Sequence, residues 1–182
     1  MFKAKSFFAI LLAAATIAFA GDGVYAGFGA GIGMQSITVD MQGYDYEVDQ
    51  GGPAFRFVFD AGVPVKTESG LNFSIAFGMD GWVQSLDLGA IDDTGLLAVV
   101  GPSLNFRNGR FVSGIRLGAS FVVETEEGEG GTMGFGMNGY GGYVIAGNWA
   151  FVFDAHYTTT EHNDYTDIDV SGFGCGLMYN GF

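Results

Sequence analysis

From residue 24 onward the chain repeatedly alternates apolar residues with small or polar ones, position by position. In 24–34, Ala26, Phe28, Ala30, Ile32 and Met34 fall on one side, and Gly27, Gly29, Gly31 and Gly33 on the other. A period of two belongs to a strand; a helix would bring its apolar residues back every three or four positions. The second run sets Phe55, Phe57, Phe59 and Ala61 against Arg56, Val58 and Asp60. The third sets Leu71, Phe73, Ile75, Phe77 and Met79 against Asn72, Ser74, Ala76, Gly78 and Asp80. In the fourth, Leu96, Ala98, Val100, Leu104 and Phe106 oppose Gly101, Ser103 and Asn105. The fifth opposes Phe111, Ile115, Leu117, Ala119, Phe121 and Val123 to Gly114, Arg116, Gly118, Ser120 and Glu124.

The sixth run is less regular, with Met133, Phe135, Met137 and Tyr143 against Gly134, Gly136, Asn138 and Tyr140. The seventh sets Trp149, Phe151, Phe153, Ala155 and Tyr157 against Val152, Asp154, His156 and Thr158, and the eighth Phe173, Cys175, Leu177 and Tyr179 against Gly172, Gly174 and Gly176. Runs of about ten residues match a tilted strand crossing a bilayer. Long polar connectors at 35–52, 81–94, 125–131 and 160–167 alternate with generally shorter ones, among them the hairpin signal Arg107-Asn108-Gly109-Arg110. That is the order of outer loops and periplasmic turns. A soluble barrel would turn its apolar face inward; here the second face holds Gly, Ser, Asn and charge. The pattern predicts an all-β fold, an eight-stranded antiparallel up-and-down transmembrane β-barrel.

Composition explains how an apolar chain lacks a spanning helix. Mean hydropathy is +0.28, yet beyond the N-terminus no apolar run reaches helix-spanning length, because each strand gives only half its residues to the apolar face. The N-terminus itself reads as an export signal: Lys3 and Lys5, an apolar run from Phe7 to Ala15, then Ala18-Phe19-Ala20. Residues 1–20 are predicted to be a cleavable signal peptide and 21–182 the barrel domain. The one cysteine, Cys175, excludes an internal disulfide and reads as a small apolar packing residue. Without Lys3 and Lys5, five basic residues remain against twenty acidic ones, which argues against nucleic acid as a partner.

The export signal, the alternating runs and the terminal aromatic Phe182 together resemble the OmpA/OmpX-type family of eight-stranded outer-membrane barrels. The resemblance covers the whole mature chain as a pattern. It implies an outer-membrane location, contact with outer-membrane lipid, and a last strand read by the barrel-assembly machinery. Asn180-Gly181 interrupts the alternation and sets Phe182 out of phase, as a bulge or a frayed end would. Members of this family differ widely in function, so the resemblance leaves activity open.

Charge follows the predicted topology. Lys66, Arg107 and Arg110 fall on periplasmic turns, and Arg56 and Arg116 point into the barrel. The outer connectors hold no Lys or Arg. Their acids read first as a solvated surface and second as weak divalent-cation loops, with Asp45, Glu47, Asp49, Asp92, Asp93, Glu126, Glu127 and Glu129 as the candidate ligands. No spaced calcium-loop motif occurs, so no dedicated metal site is predicted, and no cofactor.

Inside, Arg56, Asp60, Arg116 and Asp154 are expected to form a charged lumen plug, with Arg116 pairing Asp154. The bare glycine walls of the first and eighth runs leave room for Arg56, Arg116, Tyr140 and His156. His156-Tyr157-Thr158 resembles the His-x-Ser arrangement of outer-membrane lipid A deacylases, but Thr stands in the Ser position and the row faces inward. No catalytic residue is assigned. The leading functional reading is a non-enzymatic barrel anchoring acidic surface loops for surface contact or envelope integrity. A narrow channel or small-solute transporter is the alternative, and a lipid-modifying enzyme the third.

Overall fold

The computed structural model describes residues 23–41, 46–66, 71–87, 92–124, 132–163 and 166–182. These form eight strands: β1 (Tyr25–Met41), β2 (Tyr46–Lys66), β3 (Leu71–Asp87), β4 (Asp92–Asn108), β5 (Phe111–Glu124), β6 (Thr132–Ala146), β7 (Trp149–Asn163) and β8 (Thr166–Asn180). Each pairs antiparallel with its chain neighbours, and β8 returns to β1 to close the barrel. Closure leaves no unpaired edge, which a strand within hydrocarbon requires. The candidate signal peptide, 1–20, lies outside the described residues.

The alternation read from sequence sets the two faces. Ile32, Phe77, Phe135, Phe153 and Phe173 are all more than half exposed, while Arg56, Asp60, Asp80, Asn105 and Arg116 are buried. Apolar side chains outside and charged ones inside is the distribution of a barrel whose outer solvent is lipid. On that outer face, small Cys175 lies among Phe55, Phe153 and Phe173, leaving an apolar groove of about 710 Å³. Phe28, Trp149 and Tyr179 cluster near the periplasmic end, with ring centroids 5.0–5.6 Å apart.

Two periplasmic hairpins turn on two residues each, Gly109-Arg110 and Gly147-Asn148. Their glycines adopt φ of 57° and 56°, the left-handed value that tight antiparallel turns need at the first central position. Arg107 is the penultimate residue of β4, and its Nη1 donates to Asn148 Oδ1 at 2.9 Å across the mouth. Lys66 ends β2 rather than lying in a turn.

The outer connectors are much shorter than the sequence predicts. Pairing continues to Met41↔Tyr46, Asp87↔Asp92 and Asn163↔Thr166, so most of 35–52, 81–94 and 160–167 is strand. Ladder hydrogen bonds use backbone groups alone and need no apolar face, so the hairpins extend beyond the apolar band. Residues 125–131 lie outside the described residues. At the other end, β8 stops at Asn180. Gly181 N donates to Ala26 O at 2.8 Å, and the Phe182 ring sits 5.0 Å from that of buried Tyr25. Phe182 is thus outside the last strand and packs against the start of β1.

Candidate functional site

The lumen is where the chain concentrates its buried chemistry. Period two aims Arg56 and Asp60 of β2, Asp80 of β3, Arg116 of β5 and Asp154 of β7 inward, and all five are buried. Arg56 grips Asp80 with two bonds, Nε to Oδ1 at 2.9 Å and Nη2 to Oδ2 at 2.5 Å. Its Nη1 reaches Asp154 Oδ2 at 2.9 Å. Arg116 Nη2 donates to Asp60 Oδ1 at 2.6 Å, and its Nη1 lies 3.8 Å from Asp80 Oδ2. The planar guanidinium fork suits such two-point contacts, and a buried charge needs them to offset its lost hydration.

Polar side chains carry the network toward the periplasm. Ser103 Oγ donates to Asp60 Oδ1 at 2.8 Å, and Asn105 Nδ2 to Ser103 Oγ and Ser74 Oγ at 3.3 and 3.2 Å. Tyr140 OH donates to Asn105 Oδ1 at 2.9 Å, and Asn180 Nδ2 to Tyr140 OH at 3.4 Å. An apolar layer of Val58, Val112, Val144, Val152 and Met178 fills the space around this ladder. Toward the outside, the Trp82 ring lies 5.6 Å from the Arg56 guanidinium carbon and its centroid 4.1 Å from that of His156. Trp82 also packs with Ala54, Leu97 and Val170 in a second apolar layer.

The glycine wall has a direct use. A Cβ on Gly33 or Gly174 would stand 2.9 Å from the Trp82 indole, and one on Gly172 would stand 2.5 Å from His156. The bare seam between β1 and β8 therefore accepts the largest inward ring. Unfilled space would forfeit those contacts.

Set against the sequence reading, Arg56, Asp60, Arg116 and Asp154 do meet in the lumen, but in a different pairing. Arg116 holds Asp60, whereas Asp154 belongs to Arg56. Strand stagger is the reason: Arg116 is level with Ser103 and Asn138, and Asp154 with Tyr140 and Gly174. Asp80, read as inward but left out of the plug, is the carboxylate on which Arg56 is anchored. Trp82 falls, by sequence, in the connector 81–94. Both continue the inward row Asn72, Ser74, Ala76, Gly78, and that parity was the available signal.

Of the candidate cation-loop residues, Asp45, Glu126, Glu127 and Glu129 lie outside the described residues. Glu47 and Asp49 lie within β2, and Asp92 and Asp93 within β4, so these four are strand rather than loop positions. Register nonetheless gathers acids at the outer rim: Asp40 is opposite Glu47 on β2 and Asp167 on β8, and Asp167 is opposite Glu161 on β7. Among the described residues, no group of three or more His, Cys, Asp or Glu is placed to hold a metal. His156, Thr158 and Asp154 share one inward row, yet neither His156 nitrogen nor Thr158 Oγ1 has a hydrogen-bond partner.

No family model matches the chain, and no curated protein does. Solved structures do. Ail, the attachment invasion locus protein of Yersinia pestis in complex with the heparin analogue sucrose octasulfate, aligns at TM-score 0.50 and 15% identity, over 85% of this chain and 99% of that one. Neisserial surface protein A aligns at TM-score 0.51 and 14% identity, over 87% and 97% of the two chains. The outer membrane protease OmpT of Escherichia coli aligns over 88% and 97% at TM-score 0.43 and 8% identity, too loosely to bear on activity. The chain thus has the OmpA/OmpX-type eight-stranded fold, and that fold with its apolar belt is an outer-membrane barrel.

Proposed function

We propose that this chain is a non-enzymatic barrel with a sealed lumen, anchoring an acidic outer rim that serves surface contact or envelope integrity. The observation that carries the reading is the lumen itself. Two guanidiniums and three carboxylates cross its middle, between apolar layers on either side. Eight strands enclose a space that side chains can fill, and here Trp82, Tyr140, His156 and Met178 fill it. Arg56, Asp60, Arg116 and Asp154, joined by Asp80, act as the plug.

The outer rim supplies the contact surface. Its run of acids in register, with no Lys or Arg in the outer connectors, suits weak association with divalent cations. The sulfated ligand of Ail does not transfer: a polyanion would meet carboxylates here, with no cation to receive it. Outer-membrane lipid surrounds the aromatic belt, and the barrel-assembly machinery is the expected partner during insertion.

Planar-bilayer recording of the purified protein tests the seal. The expected result is no steady unitary conductance; discrete, stable steps would replace this reading with the narrow channel. An altered lipid A mass spectrum in cells making the protein would instead restore the lipid-modifying enzyme.

A further inference from the structure

The charge count in the lumen does not close. Among the described residues, the buried charged side chains are Arg56 and Arg116 against Asp60, Asp80 and Asp154. The three carboxylates are unequally served. Both oxygens of Asp80 are held by Arg56; Asp60 takes two bonds at Oδ1, from Arg116 and Ser103, and its Oδ2 is buried without a hydrogen-bond partner. Asp154 has one charged donor, Arg56 Nη1 at Oδ2, while its Oδ1 is buried without a hydrogen-bond partner.

The groups that face this part of the lumen offer no further cation. Tyr140 of β6 and Gly174 of β8 stand opposite Asp154. β1 turns glycines, Tyr25 and Gln35 to the lumen, β2 brings Arg56 and Asp60, β3 Asp80, β4 Ser103 and Asn105, and β5 Arg116. The next inward residue of β7, His156, is 5% exposed, and neither ring nitrogen is hydrogen-bonded. A surplus ionised carboxylate in such a place costs far more than one in water unless a positive charge joins it.

We infer that Asp154 Oδ1 and His156 border a lumen site for one exchangeable monovalent positive charge, a proton or a small alkali cation, which balances the plug. Its occupancy couples the stability of the plug to the ionic conditions around the barrel. The inference rests on the sealed lumen proposed above, and the two fail separately: conductance tests the seal, and the thermal response to cations tests the site.

The full mature chain, folded in detergent micelles, is heated while the gel-mobility shift of the barrel is followed, across roughly pH 6 to 9, above ordinary carboxylate titration. Ionic strength is held constant with sodium, potassium or bulky N-methylglucamine chloride. The wild-type midpoint should fall by several degrees as pH rises in N-methylglucamine, since folding that takes up a proton weakens as protons are withdrawn. The same fall in sodium or potassium identifies the proton as occupant, and rescue by either salt identifies the alkali cation. Asp154→Asn leaves two carboxylates for two guanidiniums and should be flat under all conditions. A flat wild type, or a variant as responsive as the wild type, overturns the site. If Asp154→Asn does not assemble, Asp60→Asn removes the same charge from the same network and is held to the same outcome.

Discussion

The lumen and the outer rim are built on the same strands, and both are rich in acid, yet they treat it in opposite ways. In the lumen each of Asp60, Asp80 and Asp154 is bonded to a guanidinium at 2.5–2.9 Å. At the rim, Asp40 is opposite Glu47 and Asp167, Asp167 opposite Glu161, and Asp87 opposite Asp92. The surroundings decide the difference. Water and salt weaken repulsion between exposed charges, whereas an unpaired charge in the lumen keeps nearly all of its desolvation cost. Pairing is therefore a condition of folding inside.

The largest effect should come from the lumen. Arg56→Met keeps much of the side-chain volume but strips the guanidinium from both Asp80 and Asp154. Removing one partner of a buried ion pair costs about 3–5 kcal/mol, and this change strands two carboxylates. The barrel should lose most of its thermal resistance or fail to assemble, as seen by its mobility on unboiled gels. A variant that melts like the wild type would show that the lumen is wet and the contrast with the rim false.

A second substitution tests the third environment, the lipid-facing surface. Phe153 lies mid-strand on β7 and is 64% exposed, with inward Asp154 as its chain neighbour. Arg at such a depth costs about 2–4 kcal/mol. Phe153→Arg should therefore lower the denaturant midpoint of the barrel in lipid vesicles, by less than Arg56→Met. Indifference to the substitution would mean that this face does not meet hydrocarbon.

These faces were legible because lipid outside and crowding inside impose a strict period of two on each strand, as in β1 and β7. Three things were not. The rim extensions carry no apolar alternation, since backbone pairing alone sustains them. Trp82 was hidden because Gly81 breaks the outward apolar row; the Phe57 ring of the neighbouring strand lies over that glycine and supplies the missing surface. The ion pairing depends on the stagger between strands, and no local run of residues encodes stagger. Counting depth along each strand put Arg116 beside Asp154, whereas register sets it beside Ser103 and Asn138. Stagger is equally why the rim acids, drawn from distant parts of the chain, could not be seen to share one row.

The smallest expected effect, and the sharpest test of the contrast, is at that row. Asp40→Asn removes one charge that stands opposite two others, Glu47 and Asp167. Like charges directly opposed in a ladder destabilise it, by about 0.2–1 kcal/mol if such pairs follow the usual scale. Asp40→Asn should therefore raise the midpoint of thermal unfolding slightly, the opposite sign to any loss of charge partner in the lumen. The gain should be greatest at low ionic strength and shrink as salt is added, because screening already relieves the wild-type repulsion. Millimolar magnesium or calcium should likewise stabilise the wild type more than the variant if the row collects divalent cations. Thermal melts of both proteins across a salt series, with and without magnesium, read all three effects. A midpoint that falls in Asp40→Asn, or a gain indifferent to salt, would mean that these carboxylates are held by specific partners, as the lumen's are, and that rim and lumen follow one rule.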